Sequence, residues 1–267
     1  IQYVSLGETS AEFDQILDEN PFLRRSFDQQ FIAGLTYNFT YDEIVDQSKS
    51  GGFYFRANYD MAGNALNFVG SENDQRQNTF LGLEYAHYLK ADIEFRYHLK
   101  LDNNRQKLVA RIFGGVGQPL GTTESLPFVK QYFSGGPYSV RAFRIRSLGP
   151  GTYSPEDGSN SFFDQSGDIK LEANLEYRFP ITEFLNAAFF ADAGNVWLMQ
   201  DNEAIPGGRF SSSFMNELGA GIGFGLRVDI QGFVIRLDLA SPIKEPSTSW
   251  NFESSSPVLN FAIGYPF

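Results

Sequence analysis

The side chains suited to chemistry are few. The two histidines, His87 and His98, stand eleven positions apart and there is no cysteine, which excludes thiolate catalysis, disulfides and cysteine metal sites. That spacing is not one of a metal-binding histidine pair, and no nucleophile elbow, phosphate loop or cofactor fingerprint occurs. No catalytic residue, metal or cofactor is therefore expected. His98 shares a strand face with Glu94 and Arg96, which reads as a satisfied polar network rather than a general base. What stands out instead is Arg141, Arg144 and Arg146, set in the aromatic, glycine-rich run Phe128 to Tyr153. A loop free in water would expose those large apolar groups at a cost, so the run is expected to pack against something. An arginine carried into a confined space needs a carboxylate to pair with its planar fork. Glu172, Glu176 and Asp192 are the candidates, and an ordinary solvated loop is the competing reading.

These carboxylates lie on segments that alternate with a period of two. Ile169, Leu171, Ala173, Leu175, Tyr177 and Phe179 alternate with Lys170, Glu172, Asn174, Glu176 and Arg178, and Ile93 to Leu101 splits in the same way. Successive side chains of a strand point to opposite faces, so each segment is a strand with one apolar and one polar face. Further strands are expected at 31–41, 53–60, 108–117, 185–197, 215–228, 232–240 and 258–267, with a possible first one at 1–6. The segments run to about 9–15 residues, longer than ordinary strands and suited to a tilted crossing of a bilayer. Tyr and Phe near both ends of the apolar faces suit an interfacial girdle.

Composition agrees with this reading. The chain of 267 residues is 16% aromatic and carries a formal charge of −11, so it would repel a phosphate backbone, and no nucleic-acid partner is expected. No apolar run approaches the length of a membrane helix. Connections alternate between short turns (102–105, 180–182, 228–231) and long polar loops (71–79, 118–167, 199–213, 244–256), as in an up-and-down barrel. No domain boundary shows, Ser5 to Asp28 lacks a period, and any targeting segment is expected upstream of Ile1 or already removed. The expectation is one all-β domain over 1–267: a transmembrane antiparallel up-and-down β-barrel of about ten strands. Residues 120–166 are its long loop folded into the lumen and 258–267 its terminal strand. Gly219, Gly221, Gly223 and Gly225 fall on the inward face and leave room for an inserted loop or for curvature. Leu259, Phe261, Ile263, Tyr265 and Phe267 form the outward row of the last strand, and Pro266 limits pairing at its end.

Several motifs occur in one order: Gly135-Gly136, Ser139-Val140-Arg141-Ala142-Phe143-Arg144, Gly149-Pro150-Gly151, Leu175 to Pro180, Phe189 to Trp197, a glycine-rich strand, Ser241-Pro242-Ile243 and a terminal Phe. The series resembles the C-terminal barrel of the BamA/TamA superfamily of outer-membrane insertases and translocators (bacterial surface antigen type). Its wording is most similar to the TamA-like branch of Bacteroidota, with Ala142 where the family form has Gly. The resemblance implies a lumen loop in which Arg141 is received by Glu176 and Asp192 and braced by Phe133 and Phe143, and a weak seam at the terminal strand. It implies a non-enzymatic protein of the bacterial outer membrane that inserts or translocates nascent outer-membrane proteins. Its partners would be the bilayer and lipopolysaccharide, upstream POTRA domains and periplasmic accessory proteins, with this chain a C-terminal fragment and its strands part of a barrel of about 16. The alternative function is a passive pore or small-solute channel.

Overall fold

The computed structural model describes residues 2–4, 9–11, 13–14, 30–44, 50–66, 70–72, 78–80, 83–101, 105–121, 123, 125–154, 165–203, 205–230, 233–246, 248–251 and 256–267. Most of Ser5 to Asp28, the turn at 102–104 and much of the loop between Ser71 and Thr79 lie outside them. Among the described residues the strand segments are β1 (Gln2–Val4), β2 (Gln30–Ile32), β3 (Gly34–Asp42), β4 (Gly51–Ala62), β5 (Ser71–Glu72), β6 (Asn78–Phe80), β7 (Leu83–Glu84) and β8 (Tyr88–Leu101). They continue with β9 (Gln106–Pro119), β10 (Tyr132–Phe133), β11 (Ser166–Gly167), β12 (Ile169–Pro180), β13 (Leu185–Trp197), β14 (Gly219–Ile230), β15 (Phe233–Lys244) and β16 (Val258–Ile263).

Nine of them form one sheet in the order β16-β15-β14-β13-β12-β9-β8-β4-β3. Every long strand lies beside the next long strand of the chain, which is an up-and-down meander. β1 pairs with β2 antiparallel, and β5, β6 and β7 form a small sheet of their own, where the sequence suggested only a polar loop. No helix is long and apolar enough to cross a membrane among the described residues.

By contacts the chain divides into two compact units. The first comprises 1–39, 58–92 and 115–131, with a core of Ile32, Ala62, Ala86, Tyr88 and Leu126. In it Lys130 Nζ pairs with Asp60 at 2.6 Å, and Lys90 Nζ donates to the Lys130 carbonyl at 2.6 Å. His87 Nε2 lies 2.8 Å from Asn64 Oδ1, and burial lowers the His87 pKa.

The second unit, 40–57, 93–114 and 132–267, carries the segments singled out above. β12 and β13 pair from Ile169↔Trp197 to Pro180↔Asn186, joined by a turn in which Ile181 and Thr182 N–H both donate to the Leu185 carbonyl. β14 runs on to Ile230, past the turn expected at 228–231. It begins at Gly219 rather than Met215, because Phe214–Glu217 curls into a 3-10 turn. Pro242, inside β15, faces Gly221 beside a register shift at Ala220/Gly221; a bulge is where a ladder tolerates a residue with no N–H.

In this unit the two faces of the sheet are the reverse of a water-soluble protein's. Leu175, Phe189, Ile222, Phe224, Leu237, Leu239, Leu259 and Phe261 are exposed, whereas Glu172, Asn174, Glu176, Arg178, Asp192, Arg227, Arg236 and Asp238 are buried. Rings on the exposed face form a continuous band: Tyr177–Phe179, Phe179–Phe189 and Phe189–Phe224, with centroids 5.5, 5.7 and 5.4 Å apart. Apolar surface on this scale is stable only beside a non-aqueous neighbour.

Candidate functional site

The segment from Tyr132 to Tyr153 is held at its base by pairing of Phe133 with Ser166 and Tyr132 with Gly167. It turns back on itself at Gly135 and Gly136, both at φ +96°, a conformation open mainly to glycine. The turn closes when Gly136 N–H donates to the Phe143 carbonyl at 2.9 Å and Leu148 N–H to the Ser134 carbonyl at 3.3 Å. A side chain at Gly135 would run into the Arg144 carbonyl. The sequence therefore builds a compact tip that presents Arg141, fully buried, to the polar face of β12–β15.

Arg141 spends its donors on two strands. Nε and Nη2 take both oxygens of Asp192 at 2.7 and 2.9 Å, a bidentate pair, and its backbone N–H reaches the same carboxylate at 3.1 Å. Nη1 donates to Glu176 at 2.5 Å, with Asp238 further off at 3.6 Å. The guanidinium lies 3.5 Å from the centroid of the Phe190 ring, stacking that favours arginine over lysine. Glu176 is shared with Arg178 at 2.7 Å and Arg227 at 3.1 Å, and Asp238 with Arg227 at 2.8 Å and Arg236 at 3.2 Å. Four guanidinium groups thus meet three carboxylates, one positive charge in excess.

Next to it, Glu172 accepts from Ser134 and Ser139 and pairs with Arg111 at 3.0 Å and Lys170 at 2.9 Å. Asn174 ties the two groups together, donating to Asp192 at 2.9 Å and to the Ser139 carbonyl at 3.1 Å. At the end of the strand, buried Asn195 donates to the carbonyls of Gly151 (2.9 Å) and Glu217 (2.5 Å), and Trp197 Nε1 donates to Glu217 at 2.5 Å. Asp168, beyond the first residue of β12, accepts from Met199 N–H at 2.9 Å; burial pushes its pKa up to about 6, and that hydrogen bond opposes the shift.

The four glycines of β14 divide into two pairs. A side chain at Gly219 would meet Leu148 and Phe143, and one at Gly221 would meet Ala142, so these two make room for the loop. Those at Gly223 and Gly225 would meet Phe190 and the Asp238–Arg227 pair, so these two make room for neighbouring strand side chains. Phe143 packs against Ala142, Phe190 and Ala240. Phe133 sits under Arg146, 4.3 Å from centroid to guanidinium, and Arg144 points into solvent. Val140 is fully buried.

The terminal row departs from the expectation. β16 stops at Ile263, and Leu259, Phe261 and Ile263 are 69%, 65% and 60% exposed. Gly264 then takes φ +88° and breaks the alternation. Tyr265 remains partly outside, but Phe267 is buried at 8%, its ring 5.6 Å from the Arg178 guanidinium and 6.0 Å from that of Arg141. Phe267 does not belong to the outward row, because strand parity cannot be carried through a left-handed residue. Arg227, Arg236 and Asp238 escaped the sequence reading, although Arg227 shares the parity of the inward glycines and Arg236 and Asp238 alternate with Leu237 and Leu239. Tyr138 and Asn260 carried no signal of their own.

A meander of long antiparallel strands with an apolar outer face and a charged inner one defines a membrane β-barrel type of protein. Residues 3–267 match the Omp85 superfamily domain; the chain belongs to the Omp85 superfamily, and its place is the bacterial outer membrane. It is 31% identical over 123 residues to the outer membrane protein assembly factor BamA of Neisseria meningitidis serogroup B, a match covering 39% of this chain and 15% of that protein. It is 28% identical over 123 residues to the human sorting and assembly machinery component 50 homolog, covering 42% of this chain and 25% of that one. The chain therefore spans a quarter or less of the curated relatives it matches. Among solved structures, BamA from Haemophilus ducreyi lacking POTRA domains 1-3 is similar with a TM-score of 0.48 and 16% identity, over 91% of this chain and 55% of that one. CdiB from Acinetobacter baumannii gives 0.36 and 15%, over 86% and 41%. These relatives reach the superfamily without singling out a TamA-like branch.

Proposed function

We propose that this chain is the membrane-embedded part of a non-enzymatic machine that inserts or translocates other proteins at the outer membrane. The described part of its long loop, residues 132–154, sits in the lumen, with Arg141 received by Glu176 and Asp192. The observation that carries this reading is the bidentate Arg141–Asp192 pair with Glu176 on the remaining nitrogen. So complete a desolvation of an arginine is worthwhile only where the loop must be held in one place. The BamA relative is described as an assembly factor and the human one as a sorting and assembly component, which favours nascent outer-membrane proteins as clients. By the same likeness POTRA domains and periplasmic accessory proteins would act upstream, with the bilayer and lipopolysaccharide around the strands. The weak seam is at β16, whose apolar outer row has only six residues of ladder behind it.

The test is reconstitution in lipid vesicles with an unfolded outer-membrane protein as client. Accelerated client folding that is lost with Arg141→Ala supports the reading. A steady large conductance, with no effect on client folding, would establish the passive pore instead.

A further inference from the structure

The loop tip touches the terminal strand as well as the strands that brace it. Tyr138 Oη donates to the carbonyl of Ile263, the last residue of β16, at 2.5 Å. Asn260, 7% exposed on the inward face of β16, donates to the carbonyl of Arg141 itself at 2.8 Å. The same stretch of loop is gripped from β15, where Arg236 donates to the Pro137 carbonyl at 2.7 Å and its guanidinium lies 5.1 Å from the Tyr138 ring centroid. Beyond β16, Arg178 donates to the Phe267 carbonyl at 3.1 Å, and its guanidinium lies 4.4 Å from the Tyr265 ring centroid.

β16 needs such help. Its ladder with β15 covers six residues, against twelve between β12 and β13. Its outward side chains Leu259, Phe261 and Ile263 are largely exposed. Two hydrogen bonds from the loop are therefore a substantial share of what fixes its end.

We propose that Tyr138 and Asn260 are positioning residues that latch the loop to the terminal strand, so that withdrawal of the loop and loosening of β16 are one event. The inference rests on the braced-loop reading above and adds the means by which the brace would govern the seam. Arg141 hydrogen-bonds to β16 only through its carbonyl among the described residues, so a change to its side chain reaches β16 by moving the loop.

Hydrogen–deuterium exchange on the protein in its membrane tests this, with Tyr138→Phe, Asn260→Ala and Arg141→Ala, each first shown to keep a folded barrel. Removing either latch bond is expected to speed exchange over 258–263 by about two- to tenfold, the range for one hydrogen bond, while β12–β14 stay unchanged. Arg141→Ala is expected to speed exchange over both 134–148 and 258–263. If Arg141→Ala loosens 134–148 and leaves 258–263 as in the wild type, the latch is refuted and the brace stands. So is it if Tyr138→Phe and Asn260→Ala both leave 258–263 unmoved. If Arg141→Ala loosens neither segment, the brace falls and the latch with it.

Discussion

Arg141→Ala is the most informative single change, because its cost can be apportioned. Glu176 keeps Arg178 and Arg227 when Arg141 is gone. Asp192 has no other cation among the described residues and keeps only the amide of Asn174 and a backbone N–H. The penalty therefore falls on Asp192, a carboxylate 3% exposed. Breaking one side of a buried pair costs about 3–5 kcal/mol, or about two to three and a half decades in the docking equilibrium of the loop. The strand ladders do not involve the arginine side chain, so the barrel should survive while the loop becomes open to proteases. Removing the carboxylate as well, in Arg141→Ala/Asp192→Ala, should cost little more than the first change. A double-mutant cycle on protease protection of residues 134–148 is then expected to give a coupling of about 2–3 kcal/mol. Additive effects would refute the reasoning, as would a wild-type cleavage rate in Arg141→Ala.

Four further outcomes follow from the structure. Gly221→Ala places a methyl against Ala142 and 3.0 Å from the Ser241 carbonyl and should weaken loop docking by about 1–3 kcal/mol. Gly114→Ala, whose added carbon would lie 3.6 Å from Leu171, should be near neutral in the same protease assay. Asn195→Ala leaves the Gly151 and Glu217 carbonyls without their donor, and should lower the thermal midpoint of the barrel through a loss of about 2–4 kcal/mol, read by gel mobility of unboiled samples. Asp168 binds its proton more tightly when folded, because burial pushes its pKa up to about 6 from an ordinary 3.8. Its stabilising effect is complete below about pH 4 and is lost as pH rises through 6, a difference on the order of 3 kcal/mol. Protection factors over 165–168, which remove the base-catalysed pH dependence of exchange itself, should therefore be higher at pH 5 than at pH 7.5 in the wild type, and Asp168→Asn should flatten that dependence.

How much of this was legible in the sequence depended on whether a local period was left undisturbed. β13 matches its expected bounds of Leu185–Trp197, and β12 runs one residue beyond the expected Phe179, since nothing interrupts the alternation there. Where a turn intervenes, the period misleads. Met215 to Leu218 alternates acceptably on paper, but Glu217 gathers Ser211, Ser213 and Trp197, which holds that stretch as a turn. Phe267 was misplaced through Gly264, a residue whose backbone angle reverses the count. Parity also located one end of the ion pairs better than the other. It turned Glu176 and Asp192 inward, but the partnership of Arg227 and Arg236 with Asp238 depends on the β14–β15 register, Arg227↔Arg236 and Gly225↔Asp238, which no single strand reveals. The absence of a side chain at Gly225 is what admits that pair.

The charge count of the site bears on whether the loop could ever leave. With Arg141 in place, the cluster carries one guanidinium more than it has carboxylates. Without Arg141, Arg178, Arg227 and Arg236 face Glu176, Asp192 and Asp238 in equal number. The strands alone are thus formally neutral, and the arginine is not needed to cancel a net negative charge. It is held by the bidentate pair with Asp192, by Glu176 on the remaining nitrogen and by the Phe190 ring, while the other arginines share Glu176 and Asp238. A loop secured by overall charge would be released only by solvating several buried carboxylates at once. One secured chiefly at a bidentate pair, with Glu176 shared among three arginines, is firmly placed yet depends most on one carboxylate. The same geometry predicts that Asp192→Asn, which keeps shape and removes charge, should raise loop mobility almost as far as Arg141→Ala does.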